Sequence, residues 1–348
     1  MTVEATTDAN PTQLAAPAAE AGTTQVVPAQ DTPTPAEAER PARPSLSPSR
    51  AADFKTCPLL YRFRSVDRLP ERPSFDQLRG TLVHAVLERL FDLPAEERTP
   101  LRAAELVEPQ WTRMLAEHEE LGGLFAVAVP DDGAATDGAA ATAVTEPAAR
   151  TPGAGSAWEP DETGFLASAR DLLGGYFAVE DPRRLEPAER ECLVTTEVDD
   201  GRLVLRGYID RLDVSPAGEL RVVDYKTGGA PREAFEARAL FQLKFYALVL
   251  WRTRGIVPRV LRLLYLKDEE ICDYAPDTGE LERFERTLVA LWAAIERALA
   301  ERDFRPKPSR LCGWCAHQAL CPAFGGTPPP FPELVTAPVA EPTDLLVE

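Results

Sequence analysis

A chain of 348 residues, 44% hydrophobic and 27% charged, has room for one large domain or two small ones and enough apolar content for a real core. Its formal charge of −18 lies wholly in residues 1–44 (net −4), 95–165 (net −10) and 323–348 (net −4), so the rest of the chain is neutral and the acidity does not exclude a nucleic-acid partner. The acidic start lacks a basic-then-apolar leader and the longest apolar run, Leu288 to Ile295, is too short to span a bilayer, so a cytoplasmic protein without membrane contact is expected, its six cysteines free thiols or metal ligands before disulfides.

Residues 1–44, rich in Ala, Pro, Thr and Glu without period, cannot bury enough surface to fold and are expected to be disordered. Residues 47–63 read as a short helix with a Cys57-Pro58 turn. Gly80 to Phe91 reads as a helix, with Val83, Val86, Leu87, Leu90 and Phe91 at helical spacing. Residues 101–122 and 163–180 also read as helices, on either side of an Ala/Gly/Thr/Asp/Pro-rich insertion at about 126–162 that is expected to be disordered. Three strands follow at 191–198, 202–213 and 219–226, the last two joined by a Ser-Pro-Ala-Gly turn. A helix from Arg232 to Arg252, a strand from Arg259 to Lys267 and a long helix over 280–302 lead into a cysteine cluster; 323–348 is Pro-rich, acidic and expected to be disordered. One folded domain is thus expected over 45–322, interrupted by the insertion. Helix, three strands, helix, strand predicts an α/β layered fold.

Two neighbouring strands end in groups that a simple sheet would not choose. Asp210 follows the apolar Leu203, Leu205 and Ile209, while Asp224 and Lys226 close a strand centred on Val222 and Val223. Strand side chains alternate, so Asp224 and Lys226 point to the same side. A carboxylate beside an ammonium there suits a hard divalent cation that keeps waters and phosphate oxygens in its shell. A lone Asp-x-Lys is most often a strand-end ion pair, and a lone His84 on an apolar helix is usually a core or boundary residue. Gln242 and Tyr246, four apart, share a helix face.

Taken together, Gly80-x-x-x-His84, Gly207-x-x-Asp210-Arg-x-Asp213, Asp224-x-Lys226-Thr-Gly228 and Gln242-x-x-x-Tyr246, in that order, resemble the RecB-like branch of the PD-(D/E)XK nuclease superfamily, over about Ser47 to Pro322 without the insertion. The resemblance implies a restriction-endonuclease-like core with added helices. It implies that His84, Asp210, Asp224 and the Tyr225 carbonyl hold Mg²⁺ or Mn²⁺, that Lys226 with Asp210 and Asp224 is catalytic, and that Gln242 and Tyr246 contact DNA and brace the site. Glu88, one turn beyond His84, is a further candidate for the same pocket.

Cys312, Cys315 and Cys321 form C-x₂-C-x₅-C and need a fourth partner. Cys57, Cys192, Cys272 and the His317 nitrogen are the candidates; Cys192 and Cys272 sit in or beside apolar strands and read as buried small hydrophobes. The spacing alone leaves Zn²⁺ and iron–sulfur open. One upstream cysteine and three downstream, around a RecB-like core, resemble the iron–sulfur nucleases, including AddB-type subunits and CRISPR-associated RecB-like proteins. That resemblance implies a four-iron, four-sulfur ([4Fe-4S]) cluster on Cys57, Cys312, Cys315 and Cys321, closing the domain across its two ends.

Lys55, Arg62, Arg64 and Arg68, interleaved with Phe54, Tyr61 and Phe63, would meet Arg302, Arg305, Lys307, Arg310 and Trp314 if the cysteines join. Bases near aromatics suit single-stranded DNA, although arginines around a metal site read equally well as solvated. No G-x-x-x-x-G-K-[ST] phosphate loop occurs, so any unwinding must come from a separate helicase. Three roles follow: a metal-dependent DNA exonuclease on single strands or ends in repair or recombination, a non-catalytic cluster-stabilised DNA-binding subunit of a helicase complex, or a CRISPR adaptation nuclease. The intact His84, Asp210, Asp224 and Lys226 set favours the enzyme.

Overall fold

The computed structural model describes residues 44–125, 161–230 and 236–332. In chain order they form β1 (Ser45–Leu46), α1 (Pro48–Thr56), α2 (Pro58–Tyr61), α3 (Phe75–Leu90), α4 (Pro100–Glu117), α5 (Glu162–Val179), β2 (Glu189–Val198), β3 (Leu203–Val214), β4 (Leu220–Lys226), α6 (Glu236–Arg254), β5 (Val260–Tyr265), β6 (Glu270–Tyr274) and α7 (Thr278–Glu301), with short tight turns between and after them. The expected disordered stretches fall mostly outside the described residues. Their edges do not: Phe331 stacks on Phe304 at 6.1 Å and Arg62 Nη2 donates to the Pro329 carbonyl (2.5 Å), so described structure continues past the boundary expected at 322.

Helix α3 starts five residues before Gly80, where the apolar spacing begins. The cause is a capping box: Ser74 Oγ accepts from Gln77 N (3.2 Å) and Gln77 Oε1 accepts from Ser74 N (2.9 Å), satisfying two helix-end donors. Because of that early start, Gly80 and His84 sit within the helix rather than at its frayed end.

The sheet runs β1-β3-β4-β5-β6, with β2 on the other edge of β3. Strands β2, β3 and β4 form an antiparallel meander, β4 and β5 are parallel across the α6 crossover, and β6 returns antiparallel. The edge strand β6 is absent from the pattern read in the sequence, since the apolar Ile271 is exposed and its inward residues Cys272 and Tyr274 are only partly buried.

Helices α3, α4 and α5 cover one face of the sheet, with Val223, Tyr225, Leu264 and Leu266 in their core; α1, α6 and α7 cover the other, with Ile209, Val222, Leu261 and Leu263. This three-layer α/β arrangement is the restriction-endonuclease-like core expected from the element order. Strand β4 therefore sends Val223 and Tyr225 towards α3, and Val222, Asp224 and Lys226 towards α6. In β3, Ile209 and Leu212, three apart, join the same core, so the alternation slips once at Asp210–Arg211. The register with β2 is unchanged on both sides, Cys192 facing Ile209 and Arg190 facing Arg211, so no residue is inserted. Glu191, between those two pairs, has φ +42, a left-handed backbone rare for a side-chain-bearing residue.

Candidate active site

The slip in β3 and the end of β4 meet at one place. Asp210, 7% exposed, accepts from the Tyr225 backbone N–H on Oδ2 at 2.8 Å, and His84 Nδ1 stands 3.5 Å from the same oxygen. His84 Nε2 lies 2.9 Å from the Tyr225 carbonyl oxygen, with the two rings edge to face. Tyr225 is the middle residue of Asp224-x-Lys226, so helix α3, strand β3 and strand β4 are tied at its two backbone groups.

Glu191 completes this group. One ligand atom each of His84, Glu191 and Asp210 lie within 4.8 Å of one another, a grouping able to hold a metal ion. Glu191 was not among the expected ligands. The signal was present in the Val198–Leu203 hairpin: counting back along both strands from the Asp199-Asp200-Gly201 turn brings Glu191 opposite Asp210. Counting could not supply the left-handed backbone at Glu191, a strained conformation of the kind that recurs at functional sites.

Asp224 is 1% exposed and engages Lys226, Oδ2 to Nζ at 2.8 Å. It is not part of the His84–Glu191–Asp210 trio, although the chain places it next to the Tyr225 groups that trio touches. Lys226 Nζ also donates to Gln242 Oε1 (3.0 Å), and Gln242 Nε2 donates to Tyr246 Oη (3.1 Å). The Gln-x-x-x-Tyr pair on α6 thus holds the lysine. Gly207 is a condition of that arrangement: a Cβ there would come within 2.7 Å of Tyr246 Cε1, so the ring lies where any other residue would clash. The Glu88 carboxylate, by contrast, lies 4.0 Å from Arg89, its carbonyl accepts from Arg190 Nη1, and it is not drawn into the group.

Behind the site is a buried charge. Arg211 is fully buried; its guanidinium donates to Glu180 (2.6 and 2.9 Å), to Asp213 (3.0 and 3.2 Å) and to Tyr225 Oη (3.0 Å). Burial opposes its charge, but the Tyr225 and Glu180 oxygens outweigh it and hold its pKa well above the ordinary arginine value. Burial likewise pushes the Tyr225 hydroxyl upward, so it stays neutral and accepts from Arg211. The ring of the residue whose backbone bridges the site is thereby locked from behind.

The two ends of the described domain meet as the cysteine pattern implied. Lys307 N donates to Cys57 Sγ (3.3 Å), Ser309 N donates to Cys312 Sγ (3.2 Å), and Cys57, Cys312, Cys315 and Cys321 all line one cavity of about 780 Å³. No three of the six sulfurs are grouped as closely as the His84 trio, so a compact four-cysteine centre is not formed among the described residues. Cys192 and Cys272 lie elsewhere, half-buried at the core margin, and burial pushes the Cys192 thiol up to about 12. His317, 5% exposed, is engaged by Glu71 at 2.6 Å and by the Phe63 ring. Of the expected basic patch, Arg62 is buried against Asp67 and Arg64 is partly buried against Asp53 and Glu71, and Tyr61 and Phe63 are core residues, whereas Lys55, Arg68, Arg302, Arg305, Lys307 and Arg310 are exposed.

The family model of the PD-(D/E)XK nuclease superfamily matches residues 45–322. The chain belongs to that superfamily. Nucleases of this superfamily use divalent metals as cofactors. Gene 69 protein of Mycobacterium phage D29 is 30% identical over 131 residues, 37% of this chain and 46% of that protein, so the chain spans about half the length of the curated relative it matches. Among solved structures, a Eubacterium rectale protein described as "Putative exonuclease" aligns with a TM-score of 0.45 at 10% identity, over 78% of this chain and 87% of that one. Among the described residues no helix is long and apolar enough to cross a membrane.

Proposed function

We propose that this member of the PD-(D/E)XK superfamily is a divalent-metal-dependent deoxyribonuclease, acting as an exonuclease on single strands or DNA ends in repair or recombination, beside a separate helicase. The observation that carries the reading is the meeting of His84, Asp210 and the Tyr225 carbonyl within one residue of the Asp224–Lys226 pair. His84, Glu191, Asp210 and the Tyr225 carbonyl would hold Mg²⁺ or Mn²⁺, with Asp224 adjoining. A bound divalent ion supplies Lewis-acid stabilisation of phosphate charge and a more acidic water.

The chain's own residues do the rest. Asp210 accepts from the Tyr225 N–H, which turns the Tyr225 carbonyl towards His84. Asp224 and Gln242 hold the Lys226 ammonium in place, where it offsets charge building on the phosphorus centre and orients the attacking water. Tyr246 and Gly207 keep Gln242 from drifting. End-labelled single- and double-stranded DNA, digested with Mg²⁺ or Mn²⁺ by the wild type and by Lys226→Ala, tests this. Cleavage is expected to be lost in a variant that still unfolds cooperatively; full activity in Lys226→Ala would remove the mechanism.

The proposal includes a [4Fe-4S] cluster on Cys57, Cys312, Cys315 and Cys321. Supporting it, the four thiols share one cavity wall, and backbone N–H groups already donate to two of them, as they would to cluster thiolates. Anaerobic purification tests the cluster: a colourless, zinc-loaded protein would reject it.

A further inference from the structure

The cavity that the cysteines line also reaches the chemistry. Lys226 and Gln242 stand in its wall together with Phe241, Leu311, Trp314 and Phe324. Whatever passes between the cysteine lobe and Lys226 must cross this surface. Trp314 is 79% exposed, Leu311 43% and Phe324 50%, so three large apolar side chains on one lobe contribute little to the core. Single exposed apolar residues are ordinary, but a cluster on a cleft beside the reacting group indicates something that covers it.

The backbone that carries Trp314 is held by a hydrogen-bonded turn. Trp314 ends a 3₁₀ turn, Arg310–Trp314, lying between Cys312 and Cys315. Ser309 Oγ accepts from Leu311 N (3.2 Å), Cys312 N donates to the Ser309 carbonyl (3.1 Å), and Cys315 N donates to the Cys312 carbonyl (3.2 Å). A ring on so constrained a turn loses little further freedom on binding. Lys307 and Phe241 line the same cavity; beside it Lys55 Nζ sits 4.0 Å over the Phe241 ring, and Lys307 Nζ donates to the Lys55 carbonyl (3.1 Å). Neither lysine is ion-paired among the described residues, so this side keeps positive charge although the chain as a whole is strongly acidic.

We infer that the cysteine lobe is the substrate-selecting wall of the nuclease site, with Trp314, flanked by Leu311 and Phe324, as the platform on which unpaired bases stack while Lys55 and Lys307 meet the backbone phosphates leading to Lys226. This rests on the nuclease reading and deepens it. Exposed rings with nearby cations match the two faces of a single strand, whose bases offer free π-surfaces and whose backbone is anionic. In a duplex those base faces are covered by their stacked neighbours, so Trp314 has nothing to stack on and the wall discriminates against paired DNA. The cysteine turn then sets specificity as well as closing the domain.

The test reads binding without metal and without turnover. Fluorescence anisotropy of a labelled oligo-dT strand and of a blunt duplex is titrated with the full chain, wild type, Trp314→Ala and Trp314→Phe, in EDTA. Trp314→Ala is expected to weaken single-strand binding roughly tenfold, with duplex binding unchanged and Trp314→Phe retaining most of the affinity. Wild-type tryptophan emission should fall on adding oligo-dT and fall less in Trp314→Ala, since Trp314 is the most exposed tryptophan among the described residues. Equal single-strand affinity in wild type and Trp314→Ala, or an equal loss on both DNAs, overturns the inference and assigns the exposed rings to a protein partner or to a general structural role. A wild type that binds single strands through Trp314 yet cleaves nothing upholds it while refuting the nuclease reading.

Discussion

Replacing Arg211 by methionine should cost more stability than almost any other single change in the domain. Arg211 is fully buried and bridges Glu180 and Asp213, whose side chains are 8% and 14% exposed. Methionine fills similar space with no charge, so the cost lies in what is left behind. Asp213 keeps Arg221, 2.8 Å away. Among the described residues Glu180 keeps the Tyr176 hydroxyl at 3.2 Å and the more distant charge of Arg262, inadequate partners for a buried carboxylate. Breaking a buried pair by removing one partner costs about 3–5 kcal/mol, a large part of the ~5–15 kcal/mol by which a domain is stable. Replacing the pair as a whole is often neutral, so Arg211→Met/Glu180→Leu should recover most of the loss. The assay is the urea midpoint of wild type, single and double variants at neutral pH. A single variant within about 1 kcal/mol of wild type, or a double variant no better than the single, would refute the argument that an uncompensated Glu180 charge is the cause.

Two further outcomes are expected. Glu191→Gln keeps the shape of the side chain but removes its charge; it should raise the Mn²⁺ concentration needed for half-maximal cleavage about tenfold or more, and an unchanged metal titration would take Glu191 out of the ligand set. The Glu71 carboxyl is pushed up by burial, but His317 and Arg64 outweigh this and hold it at about 2, against an ordinary 4.5. Its stabilising contribution is therefore complete above pH 4.5 and lost as pH falls towards 2, so the melting temperature of Glu71→Gln should vary less across that window than the wild type's; parallel curves would show that the carboxylate does not drive acid unfolding.

The site was legible in part because strand and helix periods are local. Period two put Asp224 and Lys226 on one side of β4, and they meet at 2.8 Å; helical spacing put Gln242 and Tyr246 on one face of α6, and they meet at 3.1 Å. The same reasoning placed the strand meander and the crossover to within a few residues. It missed β6, where the apolar Ile271 points outward and Cys272 and Tyr274 are only partly buried, and it read Arg62 and Arg64 as free surface charges although each is paired with a carboxylate.

From the sequence alone follow the residues able to do the chemistry and their grouping along each strand or helix, since that depends only on 3.6 and two residues per repeat. Only the tertiary structure decided which groups share a site. The meeting of His84 with Tyr225, 141 residues away, depends on how α3 lies across the sheet. The turning of Glu191 towards Asp210 depends on a left-handed backbone that its own residue type disfavours and that the surrounding packing must hold in place. Arg211 could be read as a charge, but its complete burial follows from the slip in β3, which no local period contains.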